Sequence, residues 1–560
     1  MRIFCTYKYH QRYLPSYLTR SFTLSSTVSV YVCFLFAETT SHPLLGAIML
    51  LQILSAVPLA ALVLMIYVEQ KSSTPAGLLQ ICGRLAQYMR KRLNAWRYLF
   101  QGPTMITAAY RKAAGKAFQI PGPDHDHIFI TSAEHIAEVR KAGRDELSLF
   151  GATKQMFQPA YTMLGHNWLD ERGAEGIGYV RAVGTLFPRQ LLNIMPDMHR
   201  IVRESFDAFM SQRGNSNLPA YELNKRILCK LNGFCFFGDE LAQNALFMTK
   251  IFEYNELVIT AAEILRIMPE PVKRIIGPYV GRHTSVQDKV FNLINDVVSR
   301  RLERRRLAET GAITSPSPND MIQWIIDTAP AKLNWDSRRI TYEIIAIWFG
   351  SVHALSATVT YVLFDLCIHP EYVEPLRKEV ESSEFDIFMR TTRGLPLLDS
   401  FIKESSRLSP IEAMSGRRQA LKDFAFSDGT QVKKGDWACV PAMAILHDDK
   451  YFPRARSFNG FRFAPLDRLP KTVETLSQPE GPSRYSDLSE NYHSWGIGGI
   501  VCPGRFYAAV STKLIMAHIL KSFDCSFLHP TTKKARSWRS YILPRDDVLL
   551  QFSPRKQEGV

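Results

Sequence analysis

From about residue 155 to residue 300, apolar positions recur at the three-and-four spacing of helices. Before that stretch the pattern is shorter and alternating. It predicts strands at 116–120 and 127–131 across the Pro121-Gly122-Pro123 turn, followed by a helix that Ser132 caps. A second alternating region, EAMSGRRQALKDFAFSDGTQVKKGDWACVP, turns back at Asp428-Gly429. The longest apolar-rich run without proline is Arg338 to Ile368. Its apolar residues fall on every side, so the helix it forms is predicted to run buried through the middle of the molecule. Asn319 or Asp320 caps the helix before it, and Pro396 and Pro410 bracket the helix after it.

Leu44 to Val68 holds no charged residue and is long enough to cross a bilayer as one helix. Lys71, Arg84, Arg90, Lys91, Arg92 and Arg97 follow, which places the bulk of the chain on the cytosolic side. Residues 1–43 are basic until Glu38. They read either as a transit-like presequence or as an over-extended start, since Met49 would open a short anchor, and the second reading is preferred. The expected organisation is an extension at 1–43, an anchor at 44–68, a tether at 69–103 and one catalytic unit over 104–560. The Ser/Pro-rich 309–320 and the loop-rich 470–490 are connections within that unit.

The net charge of +15 suits nucleic acid, an anionic membrane or an acidic partner. No nucleic-acid motif accompanies it, so membrane and partner remain. Nine scattered cysteines show no CxxC pair and no zinc spacing, and read as reduced thiols.

One of them sits in a special place. WGIGGIVCPGR, residues 495–505, puts Cys502 in a glycine-rich turn that opens the helix FYAAVSTKLIMAHIL, with Pro503 suited to its first turn. Glycines let backbone approach a flat partner. A cysteine at a helix N-terminus is drawn toward its thiolate, and such a sulfur can be the single protein ligand of a metal whose other positions a cofactor fills, as in haem-thiolate proteins. Glu404 and Arg407 share one helix face by their spacing of three, and FNGFRF carries Arg462.

Trp495, Gly498, Cys502 and Gly504 resemble the haem-binding signature of the cytochrome P-450 family, with Trp for the usual Phe. The order ExxR, FRF, cysteine loop strengthens the likeness, and CPGRFYA is similar to fungal microsomal members. The resemblance implies a mainly α fold with a smaller β region, and haem b on Cys502. It also implies a buried Glu404–Arg407–Arg462 network and a distal helix over the oxygen-binding face. Gly350 and Ser351 would give room there. His353 stands in the acid's place, as a proton relay or a plain core histidine, and Ala354 stands where an alcohol is normal, so Ser351, Ser356, water or the substrate would supply that hydrogen bond. The resemblance puts Val352, Ala354, Ile411, Ala413 and Met414 in the substrate pocket. The usual base beside the cysteine is missing at Gly499 and Ile500. Arg418, with Arg417 as rival, and Arg181 would therefore carry the propionate contacts.

What the resemblance implies for function is a monooxygenase anchored in the endoplasmic reticulum, its domain in the cytosol. It would take electrons from NADPH through a membrane-bound reductase and oxidise a hydrophobic fungal metabolite, a terpenoid or a polyketide. A haem-thiolate isomerase or dehydratase that needs no oxygen, and a non-catalytic membrane haem protein, stand as alternatives.

Overall fold

The computed structural model describes residues 75–163, 178–213, 217–281, 285–312, 317–329, 334–470, 481–498, 500–529 and 533–555. The expected extension and anchor, 1–68, lie outside the described residues, as do Gly499 and parts of the 309–320 and 470–490 connections. The chain divides into Met1–Tyr88 and Met89–Val560. Of the first unit the described part is helical; the sheets, the core and the cavity belong to the second.

Over the described part of the expected tether and beyond it, one helix spans Pro75–Ala113, interrupted where Gln101 leaves helical geometry. Pro103 explains the break. Proline removes an N–H and displaces the carbonyl four residues back, and that carbonyl, Leu99, accepts from the N–H of Arg539 at 2.7 Å. A side chain at Gly102 would collide with the Arg539 carbonyl, so glycine lets the two backbones close. Arg539 is then fixed in a buried ring of charges. It contacts Asp124 at 2.8 Å and Glu263 at 2.7 Å, and Arg266 bridges the same two carboxylates at 2.9 and 2.8 Å.

The helix Ser337–Ile368 is buried along most of its length, as its all-round apolar pattern predicts. Among the described residues it is the one helix long and apolar enough to cross a membrane, and here it is the core. It packs against Ala220–Ala242, Ser285–Glu309, Pro396–Leu408 and Arg505–Ser522. Asp320, not Asn319, caps the helix Met321–Thr328, its carboxylate accepting from Gln323 N–H at 3.1 Å.

The smaller β region is a five-stranded sheet in the order Phe118–Pro121, Asp126–Phe129, Trp437–Val440, Ser415–Ala420, Leu147–Ser148. The first two strands form the expected hairpin. Asp126–Phe129 then runs parallel to Trp437–Val440, with His127 opposite Trp437, which joins the two alternating regions of the sequence. Between Ser415 and Arg418 the register slips. A regular strand points neighbours to opposite faces, and an irregularity re-aims them.

Candidate active site

A cavity of about 570 Å³ opens between the cysteine loop and the central helix. One wall is a helical face. At 3.6 residues per turn Gly350, Ala354 and Thr358 stack one above another, and all three line the cavity with Ser351 and Leu355. Val352, expected in the pocket, lies on the opposite side of the helix and is fully buried in the main core; Ile347 takes the lining role. His353, expected as a catalytic group, also lies outside the lining. It sits on the flank of the helix with Nε2 3.5 Å from Glu256 Oε1, and burial lowers its pKa.

Ser351 is held from two directions. Its hydroxyl donates to the Trp348 carbonyl at 2.9 Å and accepts from Asn232 Nδ2 at 3.1 Å, and Asn232 Oδ1 accepts from the Tyr507 hydroxyl. Thr358 donates to the Ala354 carbonyl at 3.1 Å. The alcohols on this wall therefore stand one turn to either side of Ala354. Ser356 points into the helix, donating to the Val352 carbonyl.

The opposite wall is the cysteine loop. Gly496–Ile497 pairs with Ile500–Val501 in a tight antiparallel hairpin, turned at Gly498 with φ +69°. The helix Arg505–Ser522 follows, with Gly504 as its N-cap, so Pro503 precedes the helix rather than opening it. Trp495 lines the cavity and donates its indole N–H to the Tyr485 carbonyl at 2.7 Å. The accessible surface of Cys502 faces the cavity. Burial pushes its thiol pKa up, while the amides of Gly504 and Arg505 and the charge of Arg505 pull it down. A Cβ at Gly504 would make only ordinary contact with the sulfur, at 4.0 Å, and with Val183.

The expected charge network is present. Glu404 accepts from Arg407 at 2.8 and 2.9 Å and from Arg462 at 3.0 and 3.2 Å, and all three residues are fully buried. The arginines also donate to carbonyls of Leu446, Ala455, Pro453 and Ser457, tying four points of the chain to one helix.

At the cavity rim, Arg418 is buried and donates to the carbonyls of Arg417 and Ile497. Its neighbour Arg417 lines the cavity too, because of the register slip, but its charge is paired with Glu412. Both rivals therefore line the cavity, Arg417 with its charge matched by Glu412 and Arg418 held by backbone carbonyls. Ile411 and Met414 line the cavity; Ala413, expected with them, faces a small core beside Tyr98 and Trp437. Arg181 is exposed and reaches the Thr328 carbonyl at 3.5 Å, so the structure does not bring it to the cavity.

A flat cofactor held by one sulfur suits this donor set. An accessible thiol on a cavity wall, a buried arginine at the rim, and glycine and alanine on the facing helix suit such a group. Glu412, Thr358, Asn232 and Tyr507 had no motif to mark them; only their meeting around the cavity singles them out.

The cytochrome P450 family model matches residues 93–552. Cytochrome P450 monooxygenase 151 of Postia placenta is 27% identical over 83% of this chain and 91% of its own length. Cytochrome P450 monooxygenase atmQ of Aspergillus flavus is 28% identical over 77% and 80%, and paxQ of Penicillium paxilli 27% over 81% and 87%. In three dimensions the chain is similar to the retinoic acid bound cyanobacterial CYP120A1, with a TM-score of 0.59 at 16% identity, covering 80% of this chain and 94% of that one. The last likeness speaks for the fold alone. From residue 93 to residue 552 the chain belongs to the cytochrome P450 family.

Proposed function

We propose that this chain is a haem-thiolate monooxygenase that inserts oxygen into a hydrophobic small molecule of fungal secondary metabolism. The carrying observation is that the Cys502 thiol opens into a cavity whose facing wall is the small-residue face of the central helix. Relatives named as fungal monooxygenases support the same reading.

Cys502 would hold haem b through its sulfur, and the haem when bound supplies the oxygen activation and redox chemistry. The chain's own residues do the rest. Trp495, Gly498 and Gly504 shape the loop around the sulfur, Arg418 would hold a propionate, and the Glu404 network would keep the loop in place. Gly350 and Ala354 leave room over the cofactor face. Ser351 Oγ, held by Asn232, would supply the hydroxyl that carries a proton there in place of His353. Ile411, Met414 and Leu355 exclude water and orient an apolar substrate.

Electrons would come from NADPH through a membrane-bound reductase, whose acidic docking face fits the net charge of +15. The segment 44–68 would anchor the chain in the endoplasmic reticulum with the catalytic unit in the cytosol.

The test is the carbon monoxide difference spectrum of the dithionite-reduced membrane fraction. A red-shifted Soret band in the wild type that Cys502→Ala abolishes is the expected result. No such band in well-expressed wild type would overturn the assignment.

A further inference from the structure

An ion pair stands in the wall of an otherwise mostly apolar cavity. Glu412 lies between two substrate-facing positions, Ile411 and Met414, and lines the cavity together with Arg417. The Arg417 guanidinium contacts the Glu412 carboxylate, and its Nη1 reaches the Tyr541 hydroxyl at 3.1 Å. Ser540 Oγ donates to the other Glu412 oxygen at 2.6 Å. Both side chains are largely buried, at 14% exposure each.

Stability does not explain the pair. A buried ion pair replaced by well-packed apolar residues is often neutral or stabilising, because desolvation cancels the attraction. Nor is it needed to attach the 535–544 hairpin. Backbone bonds already do so, from Ala413 N–H to the Ser540 carbonyl at 2.8 Å and from Ile542 N–H to the Ile411 carbonyl at 2.9 Å. What the pair does supply is polarity at a fixed place. A carboxylate has roughly four lone-pair positions, and two are used here, so it can accept again; the guanidinium beside it has five N–H groups.

We infer that Glu412 and Arg417 form a polar anchor for a hydroxyl group on an otherwise apolar substrate, the hydroxyl donating to the carboxylate and accepting from the guanidinium. A hydroxyl is the simple group that satisfies both at once. The enzyme is thus built for a substrate that already carries an oxygen function, which an earlier oxygenation, hydration or carbonyl-reduction step supplies. The inference rests on the haem-thiolate reading, which places substrate in this cavity.

The test uses full-length enzyme with its thiolate-haem spectrum verified, so that loss of haem is seen separately from loss of the anchor. Calorimetric titration compares decan-1-ol with 1-methoxydecane, which keeps the acceptor and lacks the donor. Wild type is expected to prefer the alcohol by about tenfold, the scale of a hydrogen bond to a charged group. The double variant Glu412→Leu/Arg417→Met should bring the ratio near one. Glu412→Gln, which keeps the shape and removes the charge, should reduce it at least about threefold even if the double variant fails to fold. A wild type without preference, or a preference unchanged in Glu412→Gln, overturns the proposal.

Discussion

The backbone N–H of Cys502 donates to the carbonyl of Trp495 at 2.7 Å. This bond closes the loop that presents the sulfur. The same tryptophan is fastened by its indole to the Tyr485 carbonyl, so the cysteine is positioned by a residue seven places before it and by a segment outside the loop. The hairpin between them holds only if the chain can turn at Gly498.

Gly498→Ala tests that turn. Its φ of +69° is costly for a residue with a Cβ, and the Cβ would meet Arg140 Cγ at 2.6 Å. A loss of about 1–2 kcal/mol is expected, read as a lower unfolding temperature and a smaller carbon monoxide band per mole of protein.

Glu404→Ala leaves Arg407 and Arg462 charged and buried without their carboxylate. Removing one partner of a buried pair costs about 3–5 kcal/mol. Thermal unfolding should report it, and the purified protein should be mostly haem-free. Soluble, fully haem-loaded Glu404→Ala would disprove the network's role.

His447 gives a pH dependence. Its Nε2 meets the Leu408 carbonyl at 3.0 Å, at the end of the helix that carries Glu404, and burial with the nearby Arg407 charge lowers its pKa to about 4. A histidine whose folded pKa lies below the unfolded 6.5 contributes stability above pH 6.5 and loses it as pH falls toward 4. His447→Asn should therefore cost most at pH 7, and its cost should shrink at pH 5 by roughly 2 kcal/mol. Urea midpoints of both proteins at the two pH values measure the difference; an unchanged gap would show that His447 does not titrate in this window.

Ala354→Thr restores an alcohol between Ser351 and Thr358 on the cavity wall. If proton delivery limits the reaction, product formed per NADPH consumed should rise severalfold with little change in stability. An unchanged ratio would show that the hydroxyl of Ser351 already suffices.

The sequence alone determined the elements whose cause is local. The buried central helix followed from apolar residues on every side, the 396–408 helix from its bracketing prolines, and the cysteine loop from glycine spacing. Cys502, Glu404, Arg407 and Arg462 were legible because their chemistry needs fixed spacings along the chain. The choice of facing residues was not. Whether a helical position looks into the cavity or into the core depends on the rotation of the helix against its neighbours, so Val352 and His353 were misplaced and Thr358 was missed. On the sheet, one slip of register between Ser415–Ala420 and Trp437–Val440 brought Arg417 and Arg418 to the same side, and no periodicity along the chain marks that slip. Tertiary packing alone decided that Asn232 and Tyr507 hold Ser351, since these contacts join segments that share no local pattern; the pair Glu412–Arg417 is local along the chain, and what packing decided is that both line the cavity.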